Sequence, residues 1–127
     1  GRPDGSPLRG SMTEVIVIVQ KTPFNTLRNS EGLRMSVGLT LEDDNKITVL
    51  FIDDGVHLLR KTNPGLIQSG IIFKHLDALR LLGHRVVADK ESLEKRGIKE
   101  LGAKADILPR DKVIEMLTSA DRVIPWQ

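Results

Sequence analysis

Two runs of aliphatic, mostly β-branched residues limit most strongly how this chain can fold. Val15–Val19 reads VIVIV, and Ile47–Ile52 reads ITVLFI. A strand with one exposed face alternates apolar and polar residues, whereas an unbroken apolar run is typical of a strand that helices cover on both faces of a parallel sheet. Shorter candidate strands follow at Arg85–Ala88, Asp106–Leu108 and Asp121–Ile124. Together these segments predict a mostly parallel sheet of about five strands.

The segments between the strands have the periodicity of helices. The predicted helices are Asn29–Leu41, a short helix after Asp54, Gly70–Leu82, Glu91–Arg96 and Arg110–Ser119. In the last of them we expect Val113, Ile114, Leu117 and Ala120 to share the buried face. Strands that alternate with helices favour right-handed crossovers, and therefore a layered α/β sandwich.

Composition supports one small domain with an aliphatic core. Of 127 residues, 39% are hydrophobic but only 3% are aromatic. Residues 1–11, GRPDGSPLRGS, are read as a disordered expression leader, and residues 12–127 as a single α/β domain that begins at Met12. The formal net charge is +2, and the leader alone has two arginines against one aspartate. The near-neutral remainder lacks the clustered cations and the aromatics of a nucleic-acid-binding surface.

The residue types that are missing exclude several kinds of chemistry. The chain has no cysteine, which excludes disulfides, thiolate metal sites and thiol nucleophiles. Its three histidines do not have the spacing of metal ligands, and neither glycine-rich nucleotide motif occurs. We therefore predict no metal, no cofactor and no catalytic residue. No apolar run approaches the roughly 20 residues of a membrane span, and no signal peptide follows Met12, so we predict a cytoplasmic protein without membrane contact.

Candidate site residues follow the predicted strands, because parallel sheets bind ligands beyond the carboxyl ends of their strands. They are Lys21, Asn25, Asp53, Asp54, His57, Asp89 and Ser92. Asp53 and Asp54 could form a metal-binding or acid–base pair; alternatively, Asp54 caps a helix and Asp53 is solvated. Asp89 and Ser92 open a helix, which favours capping over an anion site. His57 could transfer protons or simply lie at the surface.

Other side chains are candidates for an oligomer interface. Met35 and Leu39 form a second apolar stripe on their helix, and Phe73 and His75 lie on a helix with few polar residues. Ordinary packing within the domain explains such stripes equally well. His84 follows Gly83 in a predicted turn, and we expect it to face the solvent.

Four stretches, in this order and spacing, resemble the DsrE/DsrF-like family of sulfur-relay proteins. They are RNSEGLRMSVGLT, VLFIDDGVHLL, HRVVADKESLEKRGI and ADRVIPW. The resemblance spans Met12–Trp126 and implies a flavodoxin-like three-layer α/β/α sandwich that assembles into oligomers. Sulfur-carrying members have a reactive cysteine just after the third strand, where this chain has Ala88 or Asp89. The resemblance therefore implies a DsrF/TusC-type subunit that accompanies a Cys-bearing homologue.

Three hypotheses about function follow. In the first, the chain is a non-catalytic subunit of a sulfur-relay assembly, active in tRNA thiolation or sulfur oxidation, as a homo-oligomer or with a Cys-bearing homologue. In the second, it is a small-ligand or anion-binding domain with its site at the carboxyl ends of the strands. In the third, it is a structural or regulatory interaction module without a pocket. The first agrees best with the resemblance and with the absence of cysteine.

Overall fold

The computed structural model describes residues 13–21, 45–61 and 69–126. The strands are β1 (Thr13–Val19), β2 (Asn45–Phe51), β3 (Arg85–Asp89), β4 (Asp106–Leu108) and β5 (Arg122–Trp126). A 3-10 helix spans Asp53–Leu59, and the α-helices are α1 (Ser69–Leu81), α2 (Lys90–Lys95) and α3 (Arg110–Ser119). The leader, the predicted helix Asn29–Leu41 and residues 62–68 lie outside the described residues.

All five strands pair in parallel, in the spatial order β4-β3-β2-β1-β5. The two aliphatic runs lie side by side near the centre, since Val15 pairs with Ile47 and Val19 with Phe51. This arrangement confirms the predicted parallel α/β sheet of five strands. Because every strand has the same direction, the carboxyl ends of the strands lie along one edge.

Each face of the sheet belongs to its own apolar cluster. Val17, Val49 and Val86 are among the residues that pack with the 3-10 helix, α1 and α2 on the first face. On the second face Leu50 and Val87 pack against α3. Alternation along the strands sends neighbouring residues to opposite faces, so an unbroken apolar run supplies both clusters. The result is the predicted three-layer sandwich.

A close approach at Gly55 joins the 3-10 helix to the end of β1. The backbone N–H of Gly55 lies 3.2 Å from the carbonyl oxygen of Gln20, and that of Ile52 donates to the carbonyl of Val19 at 3.0 Å. A Cβ atom on Gly55 would collide with the Val19 carbonyl. Glycine is therefore required if the residues after β2 are to pack against the end of β1.

Two expectations about burial are wrong. Ile114 is 52% exposed, and Met116 packs with Leu117 and Ala120 against the second face instead. The predicted stripe was broader than the face that α3 actually buries. His84 is half-buried rather than solvent-facing, since its Nδ1 accepts the backbone N–H of Ile47 at 3.0 Å. This bond joins the turn before β3 to β2.

The helices of the described residues are too short, or too polar, to cross a membrane.

Candidate functional site

Asp89 ends β3 and is completely buried. Its Oδ2 accepts hydrogen bonds from the backbone N–H of Ser92 at 3.1 Å and from the Ser92 hydroxyl at 2.6 Å. The backbone of Asp89 is extended, as at a helix N-cap. The capping interpretation is therefore confirmed: Asp89 ends a strand and caps α2, and Ser92 lies in the first turn of that helix.

Arg110 supplies the counterion of Asp89. It is the first residue of α3 and follows β4 after a single residue, Pro109. Its Nε lies 3.1 Å from both carboxylate oxygens, and its Nη2 lies 2.7 Å from Oδ2. The backbone N–H of Arg110 donates to the Glu91 carboxylate at 2.9 Å. One residue thus ties the start of α3 to both the end of β3 and the start of α2.

These contacts determine the protonation state of Asp89. Burial alone would raise the pKa of the Asp89 carboxyl, since it removes the charged form from water. Hydrogen bonds from Arg110 and Ser92, together with the positive charge of Arg110, outweigh that effect and hold the pKa below its ordinary value. The same hydrogen bond raises the pKa of Arg110. The result is a buried, ionised carboxylate with its counterion in place.

Ser92 also connects this pair to Asp53. The backbone N–H of Asp53 donates to the Ser92 hydroxyl oxygen at 2.8 Å, and Arg110 Nη2 lies 3.6 Å from Asp53 Oδ1. Gln20, just beyond β1, donates to Asp53 Oδ2 at 3.1 Å. We call Asp53, Asp89, Ser92 and Arg110 the strand-end cluster. It draws together residues that follow β2, β3 and β4.

Asp53 has a left-handed backbone, with φ of 54°. Aspartate tolerates this region better than most residues other than glycine, but the conformation still costs energy. It turns the chain sharply from β2 into the 3-10 helix, so that the N–H of Asp53 reaches Ser92. The Asp53 side chain is 45% exposed, so it stays partly solvated, although its two carboxylate oxygens also contact Gln20 and Arg110.

The neighbouring carboxylate points elsewhere. Asp54 Oδ1 accepts from Arg96 Nε at 3.1 Å and from Arg96 Nη2 at 2.9 Å. Arg96 also donates to the Ser92 backbone carbonyl at 3.2 Å. The two adjacent aspartates diverge, as expected for successive residues at a strand end. The predicted capping by Asp54 is wrong, since Ile52 is the N-cap residue, its side chain makes no cap hydrogen bond, and Asp54 lies within the 3-10 helix.

The remaining candidate residues have different surroundings. Lys21 is exposed just beyond β1, and His57 is half-buried in the 3-10 helix. Ala88, which directly precedes Asp89, is fully buried in the core of the first face. Phe73 and His75 are half-buried on α1, and the Phe73 ring packs over Gly102. Asn25, Met35 and Leu39 lie outside the described residues.

Between residues 13–21, 45–61 and 69–126, no group of three or more His, Asp or Glu side chains is arranged to hold a metal ion. Asp53 and Asp89 approach each other only through Arg110 and Ser92, which neutralise or hydrogen-bond them. Such a cluster can join strand ends and hold a helix. It does not present a free nucleophile.

A family model described as the DsrE/DsrF-like family matches residues 13–126. The chain belongs to this family. Two solved structures share the DsrE/DsrF-like fold seen here. The ychN protein from E. coli has a TM-score of 0.70 and 21% identity, covering 91% of this chain and 100% of that one. A protein of unknown function from Methanobacterium thermoautotrophicum, MTH1491, has a TM-score of 0.68 and 18% identity, covering 90% and 99%. A sequence comparison with curated proteins finds no match.

In this DsrE/DsrF-like chain, sequence reasoning missed the two arginines that organise the site. The helical periodicity places Arg110 at the start of one predicted helix and Arg96 at the end of another, and it assigns neither a role in a site. A signal for Arg110 was present, since it follows β4 closely and the end of a strand is where site residues are expected. Arg96 gave no such signal, because its partner Asp54 lies 42 residues away in the sequence.

Proposed function

We propose that this chain is a non-thiol subunit of a sulfur-relay assembly, in which a Cys-bearing homologue carries the sulfur. One observation carries the proposal. At the end of β3, the family resemblance implies the sulfur-bearing cysteine at Ala88 or Asp89. Here Ala88 is buried in the core, and Asp89 is a buried, ionised carboxylate that is bound by Arg110 and Ser92. The chain has no cysteine anywhere.

The chemistry of sulfur transfer explains why this residue matters. A persulfide forms on a thiolate, and a carboxylate cannot replace it as the carrier. Asp89 is also unsuited to proton transfer, because it is fully buried and its pKa is held low. Its contacts instead join β3, α2 and α3, so its role in this proposal is structural.

The same edge offers a surface that a partner subunit could contact. Lys21 and Asp54 are exposed there, and the side chain of Arg110 is 40% exposed. Mixed charges on a rigid edge favour specific association through complementary charges. In this proposal the chain supports the shape of the assembly and the docking of donor and acceptor proteins, within the cytoplasm.

Co-expression with a Cys-bearing homologue encoded in the same genome tests the proposal. Native mass spectrometry of the purified material should show a hetero-oligomer, or a homo-oligomer that exchanges subunits with the homologue. The charge reversal Lys21→Glu, at the proposed surface, should weaken the association, whereas Lys104→Glu, an exposed residue on the amino side of β4, should not. A chain that stays monomeric at micromolar concentration in every mixture would contradict the proposal.

The second candidate function, anion binding, is favoured by one observation: two arginines lie at the strand-end edge. Both are already paired, Arg110 with Asp89 and Arg96 with Asp54. An anion would have to displace a carboxylate, which lowers its affinity. A thermal-shift screen with nucleotides and sulfur oxyanions tests this reading. It requires a shift in the melting temperature that Arg110→Met abolishes.

A further inference from the structure

A groove lies on the second face of the sheet, beside α3, on the amino-terminal side of the strand-end cluster. Its volume is about 520 Å³, within the range of small-molecule sites. We call it the α3 groove, and its main lining residues are Ile16, Thr48, Arg85, Leu108, Met116 and Ala120. Among the described residues, α3, a helix of ten residues, is what packs on this face of the five-stranded sheet. A helix is roughly 10 Å across, whereas five strands span about 19 Å.

Two polar groups meet on the floor of this groove. Ile16, Thr48 and Arg85 pair in register across β1, β2 and β3, so their side chains form one row on the same face. Thr48 is only 5% exposed, yet within the described part of the chain its hydroxyl has no hydrogen-bond partner. A buried hydroxyl without a partner costs free energy, and such a group calls for an explanation.

Arg85, which pairs with Thr48 across β2 and β3, has hydrogen-bond donors that are only weakly satisfied. Its Nη2 lies 3.3 Å from Asp106, in an ion pair with both side chains partly exposed. Its Nη1 lies 3.9 Å from the sulfur of Met116, a weak acceptor. A guanidinium is satisfied best by a carboxylate that takes two parallel hydrogen bonds. Within the described part of the chain, Nη1, which lies against Met116 of the groove lining, therefore has no strong acceptor.

The rest of the lining determines the kind of ligand. Ile16, Leu108 and Ala120 belong to or pack against the apolar cluster of the second face. At the rim, Lys112 and Glu115 lie 4.0 Å apart and balance each other's charge. The acidic side chain of Glu14 also lines the groove, but Glu14 is exposed, whereas Thr48 is buried. A ligand complements this lining if it places a hydrogen-bond acceptor at the floor of the groove and an aliphatic body above it.

We infer that the α3 groove binds a small aliphatic carboxylate. Its carboxylate accepts from Arg85 and from the Thr48 hydroxyl, and its hydrocarbon chain packs on Ile16, Met116 and Ala120. This site is separate from the strand-end cluster and does not depend on the proposed role in sulfur relay.

Titration of the full chain with octanoate, followed by two-dimensional NMR of the backbone amides, tests the inference. Octylamine and octanol serve as probes of opposite charge and of no charge. Octanoate should cause saturable shifts at residues of the α3 groove. Thr48→Val, which keeps the shape and removes the hydroxyl, should weaken binding about tenfold, and Arg85→Met should weaken it at least as much. Arg80→Met, at an exposed arginine on α1, should leave it unchanged.

A second measurement separates loss of binding from loss of folding. If the Thr48 hydroxyl has no partner in the free protein, Thr48→Val should be at least as resistant to urea as the parent chain. A destabilised Thr48→Val would show that the fold itself uses the hydroxyl, and would overturn the inference. Equal affinities for octylamine and octanoate would also overturn it. So would the absence of saturable shifts with octanoate, or an affinity for octanoate that neither substitution lowers.

Discussion

Arg110 Nη2 lies 2.7 Å from Oδ2 of Asp89, across 21 residues of sequence. The acidic partner is completely buried, while the side chain of Arg110 is 40% exposed. The pair joins the first residue of α3 to the last residue of β3, and through Ser92 it reaches the chain after β2. Charge and hydrogen bonds thereby join the carboxyl ends of the strands.

Removal of the arginine should destabilise the fold more than it alters the surface. Arg110→Met leaves the Asp89 carboxylate buried without its counterion, so we expect a loss of about 2–3 kcal/mol in the free energy of unfolding. Lys112→Met on the same helix is the control. Lys112 pairs with Glu115 at 4.0 Å with both side chains mostly exposed, and its loss should cost under about 0.5 kcal/mol. Equal effects in urea unfolding would contradict the assignment.

Two substitutions at Asp53 separate its backbone strain from its side-chain contacts. Asp53→Ala loses the bonds to Gln20 and Arg110 but keeps a left-handed backbone at φ of 54°. Asp53→Gly loses the same contacts and relieves the strain. We therefore expect the glycine variant to be more stable than the alanine variant by about 1 kcal/mol. If chemical denaturation ranked alanine above glycine, the left-handed conformation would not be a source of strain.

Alanine substitutions at Gly55 and Gly83 compare two reasons why a position requires glycine. At Gly55 the reason is a clash with neighbouring backbone, and at Gly83 it is a positive φ. Gly55→Ala places a methyl group against the Val19 carbonyl, and we expect a loss of about 3 kcal/mol, since backbone cannot move aside as a flexible side chain can. Gly83 has φ of 89° but nothing within 4 Å of an added Cβ. Gly83→Ala should therefore cost only about 1 kcal/mol. The reverse order of melting temperatures would contradict this account of Gly55.

His84 should make stability depend on pH near neutrality. Burial, and then the positive charge of Lys46, lowers the pKa of the His84 imidazole. The fold thus favours the neutral ring, which accepts the N–H of Ile47. Its contribution is complete above the ordinary histidine pKa of about 6.5 and is lost as the pH falls below that value. In urea unfolding at a series of pH values, His84→Gln should lose less stability on acidification than the parent chain. Identical pH profiles would refute the role of His84.

The sequence predicted the strands better than it predicted the site. Unbroken runs such as Val15–Val19 can be satisfied only by burial on both faces, so local pattern alone determines the parallel sheet. The roles of Arg110 and His84, unlike those of the strand residues, do not follow from local sequence pattern. Each makes its decisive contact with a residue on another element, Asp89 or Ile47, and no local periodicity encodes such a contact. Their roles appear only once the strands are in order.

The role of Asp89, at the end of β3, could be predicted from the sequence only in part. The sequence indicated that Asp89 caps a helix, because an aspartate followed three positions later by Ser92 is a local pattern. That the same carboxylate is buried and paired with Arg110 depends on β4, which lies beside β3 in the sheet. The cap was predictable from neighbouring residues, but the ion pair was not.

The central claim is that this chain assists sulfur transfer without carrying sulfur. Intact-mass spectrometry tests it most directly, after the chain and a Cys-bearing homologue from the same genome are incubated together with a persulfide donor. The homologue should gain the mass of a sulfur atom and pass it to an acceptor faster when this chain is present, while this chain gains none. Transfer at the same rate with and without the chain, or sulfur retained on the chain itself, would contradict the claim.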